Sequence, residues 1–153
     1  MKREQYDIIV IGGGAGGFVS AKMTRGFGKK TALVEKRRLG GDCTWSGCIP
    51  SKALIKSASL AMQMSRMKDH GLKLSGKHVP DPSGVMEHVR SVINGVYQGH
   101  LPESFEREGI DVIFGATRFI NPKTIMVGDS VYRAKKFIIA TGSGPVVPPV
   151  EGI

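Results

Sequence analysis

An apolar, largely β-branched run over residues 6–11, interrupted only by Asp7, breaks directly into Gly12-Gly13-Gly14-Ala15-Gly16-Gly17, and this junction leaves the chain few folds to choose from. A run with no polar alternation reads as a strand buried on both faces, as in the middle of a parallel sheet. Gly12, Gly14 and Gly17 satisfy G-x-G-x-x-G. The first allows the tight turn, the second lets a pyrophosphate reach the backbone, and the third lets a helix pack closely on the strand. The phosphate would rest on N–H groups at the helix start, from Ala15 onward. Residues 18–26 read as that helix, ending in glycine, and residues 31–34 as a second strand that delivers Glu35. This acid stands 18 positions past Gly17, close to the separation of about 20 at which a carboxylate meets a ribose hydroxyl. The motif by itself does not choose between FAD and NAD. A Glu35 merely exposed at a strand end is the plain alternative.

Both cysteines lie in one stretch, Gly40-Gly41-Asp42-Cys43-Thr44-Trp45-Ser46-Gly47-Cys48-Ile49-Pro50-Ser51-Lys52, with four residues between them. Two thiols so close, in a chain without an export signal, suggest a redox pair that cycles. Five residues of regular helix would separate them by about 7.5 Å along the axis, whereas bridged cysteines need Cα atoms within about 7 Å. Cys43 therefore either precedes the helix or sits in a distorted first turn. Cys48 falls near the helix start, with Pro50 tolerated in the first turn, where the positive end of the helix favours a thiolate. A zinc half-site and two unrelated buried thiols are the alternatives. His70, His78, His88 and His100 show no ligand-like spacing for the former.

Downstream, Ala53, Leu54, Ala58, Ala61 and Met62 recur at helical spacing, with Met62, Met64 and Met67 expected as core filler. A loop over residues 69–79 leads to Asp81-Pro82, an N-cap and first-turn pair. Val85, Val89, Val92 and Val96 then mark an amphipathic helix, and residues 103–108 a short helical stretch after Pro102. From Gly109 the period changes. Runs at 110–114, 117–120, 124–127 and 131–133 read as an antiparallel meander, and 136–140 as a return to a buried strand. Pro145, Pro148 and Pro149 read as a linker.

Length and charge exclude several classes. At 153 residues the chain is one domain's worth. The net charge of +9, from 22 basic and 13 acidic residues, permits phosphate binding. The basic residues, however, come in short groups such as Lys29-Lys30, Lys36-Arg37-Arg38 and Lys135-Lys136, without interleaved aromatics. That pattern reads as a solvated face rather than a nucleic-acid surface. The apolar run after Met1-Lys2-Arg3 ends at Gly12, too soon for a signal-peptide core, and no stretch is long enough to span a membrane. A cytoplasmic location is expected.

The cysteine stretch resembles the active-site signature of the FAD-dependent pyridine nucleotide-disulfide oxidoreductases, whose members include dihydrolipoamide dehydrogenase, glutathione reductase and mercuric reductase. The pattern G-G-x-C-x-x-x-G-C-[IV]-P-S-K is matched throughout. The resemblance implies Cys43 as the thiol that exchanges with substrate, Cys48 as the flavin-facing charge-transfer thiolate, and Lys52 as the lysine beside the flavin ring. It implies FAD contacts at Gly12, Gly14, Ala15, Gly17, Glu35, Gly41, Asp42 and Lys52. Gly115 and Ala116 match the adenine end, and Ala140, Thr141 and Gly142 the family's A-T-G segment. Asp42 and Trp45 depart from the usual Thr or Ser and Asn, a variant associated with the mercuric-reductase-like branch.

The fold so implied is α/β, a Rossmann-like FAD-binding domain over residues 1–144. It has a central parallel sheet and an antiparallel β-meander, is incomplete at its C-terminus, and leaves the sheet edge beside the fingerprint open. Residues 145–153 would lead toward an NAD(P)H-binding domain. The implied function passes electrons from NAD(P)H through FAD to a Cys43–Cys48 disulfide, and on to a small-molecule or protein disulfide or a metal ion. The parent is expected to be a homodimer, with no resident metal and no nucleic-acid or membrane partner. A second G-x-G-x-x-G, a later FAD strand and an acid–base pair are lacking. The chain is therefore expected to be an N-terminal portion, inactive by itself. A non-catalytic nucleotide-binding module is the alternative.

Overall fold

The computed structural model describes residues 3–73, 75–76, 79–144 and 146–152. Leu74, Lys77 and His78 of the expected loop, Pro145 and Ile153 of the expected linker, and Met1 and Lys2 lie outside them. The order is β1 (Arg3–Ile11), α1 (Ala15–Gly26), β2 (Thr31–Glu35), α2 (Gly41–Trp45), α3 (Cys48–Ser65), a 3-10 turn (Met67–His70), α4 (Pro82–Gln98), α5 (Pro102–Arg107), β3 (Ile110–Phe114), β4 (Thr117–Asn121), β5 (Thr124–Val127) and β6 (Ser130–Ile139). Contacts divide the chain into two compact units, Met1–Gly41 with Phe105–Ile153, and Asp42–Ser104.

The first unit is built on one six-stranded sheet in the order β3-β2-β1-β6-β5-β4. β1 runs parallel to β2, from Ile8 opposite Thr31 to Ile11 opposite Val34, and parallel to β6, from Arg3 opposite Val131 to Ile11 opposite Ile139. Its apolar run from Ile8 to Ile11 follows from that central place, and Ile9 and Val10 are fully buried. Tyr6, Ile9, Ile11, Ala32, Val34, Ile125, Val127 and Ala134 form the core on one face. Elsewhere in the unit, Phe18 of α1 packs on Phe105, with ring centroids 4.9 Å apart.

Three strand expectations are corrected. Residues 110–114 are no part of a meander. They form β3, a parallel partner of β2 from Thr31 opposite Ile110 to Glu35 opposite Phe114, since a five-residue strand pattern carries no mark of its partner's direction. Residues 131–133 and 136–140 are not separate strands. They fall in β6 and the residue after it, because its first residues pair antiparallel with β5 on one side while β1 runs along the other. The edge beside the fingerprint is not open. β1 lies between β2 and β6, and the outer strands are β3 and β4.

The second unit pairs α3 with α4. The Asp81 side chain accepts a hydrogen bond from the Ser83 N–H at 3.0 Å, with Pro82 opening the helix, and Val89 is buried. Met62 and Met64 are not core filler. They are 57% and 38% exposed, because α3 buries only Ala53 of its apolar residues. Ahead of α3, the Ser46 and Gly47 N–H groups donate to the Asp42 carbonyl at 3.0 and 2.6 Å. This closes α2 as a separate short helix and places Cys43 before the helix that Cys48 opens. No helix among the described residues is long and apolar enough to cross a membrane.

Candidate functional site

The glycine turn is glycine for two different reasons. A Cβ on Gly12, whose φ is +109°, would lie 2.2 Å from the Ala140 carbonyl oxygen, and one on Gly17 would lie 1.7 Å from the Gly12 carbonyl oxygen. The chain's own packing forbids both. A Cβ on Gly14 would meet only the Gly41 Cα, at an ordinary 3.6 Å, so packing does not require glycine there. What Gly14 keeps clear is the approach to the turn, a cradle that a side chain would fill and that a pyrophosphate fits. Gly14 is the N-cap of α1 and supplies no side-chain cap. The N–H groups of Ala15, Gly16 and Gly17 therefore have no acceptor within the helix and suit an anion.

Glu35 lies at the end of β2, and its carboxylate accepts from the Gly13 N–H at 2.6 Å and from the Arg37 N–H at 2.8 Å. The Gly40 N–H donates to the Gly13 carbonyl at 2.8 Å, and Gly41, at φ +57°, brings its backbone against Gly14. The acid, the fingerprint and the turn over residues 36–41 are thus tied together. Gly13 and Gly40 carry these ties and were passed over in the sequence reading. The Gly40-Gly41 pair was the signal available. Gly115, at φ +147°, donates its N–H to the Glu35 carbonyl at 2.8 Å, and Ala140 donates to the Ile11 carbonyl at 2.8 Å. The carboxyl ends of β1, β2, β3 and β6 are therefore neighbours, where open α/β sheets hold their ligands. Two residues past Gly115, the buried Thr117 hydroxyl has no hydrogen-bond partner among the described residues. Ala116 lies in the turn between these two, and Thr141 and Gly142 follow β6 without regular structure.

In the second unit, Cys48 is the first residue of α3 and exposed, while Cys43 is half-buried in α2; both are free thiols. A hydrogen bond from the Cys43 thiol to the Cys48 sulfur, together with burial and the neighbouring Cys48 charge, raises Cys43 above the ordinary thiol range. The Cys48 N–H and the Lys52 charge act in the opposite direction but do not cancel it. Two thiols in hydrogen-bond contact can give up two electrons and two protons to become a disulfide. Lys52 stands one helical turn beyond Cys48. Asp42 is exposed and engages its backbone carbonyl rather than its carboxylate. Trp45 packs on Tyr97 of α4 with ring centroids 4.9 Å apart. Among the described residues no group of three or more His, Cys, Asp and Glu side chains is placed to hold a metal.

Residues 6–153 match the family model described as pyridine nucleotide-disulphide oxidoreductase. The chain belongs to that family. It is similar to the dihydrolipoyl dehydrogenase of Acholeplasma laidlawii, 35% identical over 150 residues that cover 98% of this chain and 44% of that protein. It is also similar to the mercuric reductase of Staphylococcus aureus, 32% identical over 148 residues, or 97% of this chain and 27% of that one. Its fold resembles that of the HOCl-induced flavoprotein disulfide reductase RclA from Escherichia coli, solved as a Cu(II) complex. That likeness has a TM-score of 0.78 at 28% identity and covers 100% of this chain and 32% of the other. The chain thus spans less than half the length of these relatives, which are oxidoreductases, and matches their N-terminal portion.

Proposed function

We propose that the chain is the FAD-binding and redox-disulfide part of an oxidoreductase. In this reading electrons pass from NAD(P)H by way of FAD to the Cys43–Cys48 disulfide, and on to a small-molecule or protein disulfide or a metal ion. The parent would be a cytoplasmic homodimer. The observation that carries the reading is the placement of two free thiols, Cys43 in α2 and Cys48 at the start of α3, on either side of the turn that Ser46 and Gly47 close on the Asp42 carbonyl. It sets the two sulfurs as a pair in which Cys43 is half-buried and Cys48 is exposed. Cys43 serves as the interchange thiol, Cys48 as the flavin-facing sulfur, and Lys52 as the positive charge near them.

The turn at Gly12, Gly14, Ala15 and Gly17 would hold the pyrophosphate on α1's first N–H groups. Glu35 would take a ribose hydroxyl, and Gly115 and Ala116 the adenine end. Gly41, Asp42, Lys52, Ala140, Thr141 and Gly142 would complete the cofactor's surroundings. Bound FAD would supply the hydride-accepting chemistry that amino-acid side chains lack. Residues 1–144 act as the FAD-binding region, and 145–153 lead toward the NAD(P)H-binding one.

The test is direct. The reduced 153-residue chain is equilibrated with glutathione disulfide and weighed intact. Loss of two hydrogens without added glutathione, abolished in Cys43→Ser, is expected. Persistent free thiols, or glutathione carried stably on both cysteines, would overturn the reading.

A further inference from the structure

We propose that Trp45, seated on Tyr97, is a positioning residue that holds Cys43 within reach of Cys48 and so sets the redox poise of the pair. The inference rests on reading Cys43 and Cys48 as a cycling dithiol. α2 is only five residues long, and a helix of that length does not hold itself together in water. Its backbone is fastened mainly at the C-terminal link. The Asp42 carbonyl accepts from Ser46 and Gly47, and a Cβ on Gly47 would stand 3.0 Å from that carbonyl oxygen and 3.7 Å from the Cys43 Cα. These contacts fix a hinge at Ser46-Gly47, and the buried Thr44 seats one face of α2; the direction in which the helix points needs a further hold.

The ring contact between Trp45 and Tyr97, with centroids 4.9 Å apart and planes tilted by 55°, supplies that direction. Cys43 and Trp45 are two positions apart and project about 200° from one another around the helix. The indole thus grips α4 from one side of α2 while the thiol leaves from the other, toward the Cys48 sulfur to which it hydrogen-bonds. Oxidation forms one S–S bond between the two Sγ atoms. Two electrons and two protons go to an acceptor disulfide, which leaves as two thiols. The equilibrium depends on the effective concentration of Cys43 at Cys48, and Trp45 is the side chain that raises it.

The test equilibrates the full chain and its variants in glutathione redox buffers and reads the disulfide fraction by thiol alkylation and mass. Trp45→Ala and Tyr97→Ala should each lower the disulfide formation constant about tenfold, a potential about 30 mV less negative. Trp45→Phe should stay near the parent value, and the double variant should fall no further than either single one. Circular dichroism reports that each variant is folded. A folded Trp45→Ala with an unchanged constant would overturn the proposal. If Trp45→Ala does not fold, Tyr97→Leu carries the same test, and an unchanged constant there overturns it equally. A parent chain that forms no intramolecular disulfide would instead overturn the functional reading, so the two failures are distinguishable.

Discussion

Gly14 and Gly17 share a motif and differ in what a methyl group would strike. On Gly17 it would sit 1.7 Å from a backbone carbonyl that has nowhere to go. Gly17→Ala should therefore cost about 1–3 kcal/mol or more of stability. On Gly14 it meets only ordinary contact, and Gly14→Ala should cost no more than about 1 kcal/mol, the loss of a favourable N-cap residue. Urea unfolding of the two variants decides, and equal losses would show that Gly14 is packed rather than kept clear. The cysteines differ in the same local way. Held above the ordinary thiol range by the Cys48 sulfur, Cys43 remains protonated at neutral pH and gains reactivity only as the pH rises through its raised value. Brief iodoacetamide treatment of the reduced chain at pH ~8 should thus label exposed Cys48 first. Cys48→Ala removes the acceptor and should speed labelling of Cys43. Peptide mass mapping checks both, and prior labelling of Cys43 in the parent chain would contradict them.

Among the elements, the joint of β1 with β6 carries a charge lock. The Lys135 ammonium lies 2.7 Å from the Asp7 carboxylate, and the Lys30 N–H donates to it at 2.9 Å. These partners, Lys135 foremost, hold the Asp7 carboxyl below its ordinary value. A carboxyl depressed in the folded chain adds stability that is present above its unfolded value, about 3.9, and is lost as the pH falls through the folded one. Asp7→Asn should therefore lower the urea midpoint at pH 7, and the gap to the parent chain should narrow toward pH ~2. A gap constant with pH would rule the lock out. Element order was largely legible in the sequence. β1, α1 and β2 follow from the junction at Ile11-Gly12, and the start of α4 from Asp81-Pro82. The placement of β3 and the length of β6 were not legible, because pairing direction is decided by partners far away in sequence. The methionines of α3 misled for a related reason. Helical periodicity marks a face but does not say how much cover a neighbouring helix gives it.

At the scale of the whole molecule, motif and fold point the same way. Cys43, Cys48 and the three fingerprint glycines could be proposed from residue type and spacing, and Lys52 from the family resemblance. Gly13 and Tyr97 could not, because the Gly13 N–H meets Glu35 and Trp45 finds Tyr97 only once the chain has folded, and Gly40 was marked only by its pairing with Gly41. Four parallel strands deliver their carboxyl ends to one side of the sheet, beside a helix whose first N–H groups lack acceptors within it, and that is where we propose the flavin dinucleotide binds. Equilibrium dialysis of FAD against the 153-residue chain and its Gly14→Val variant, both verified as folded by circular dichroism, tests this most directly. The predicted result is one saturable FAD site in the parent chain, with affinity at least about tenfold weaker in Gly14→Val, a loss of about 1.4 kcal/mol or more. Equal affinity in the two proteins, or no saturable binding to the parent chain at millimolar FAD, would contradict it.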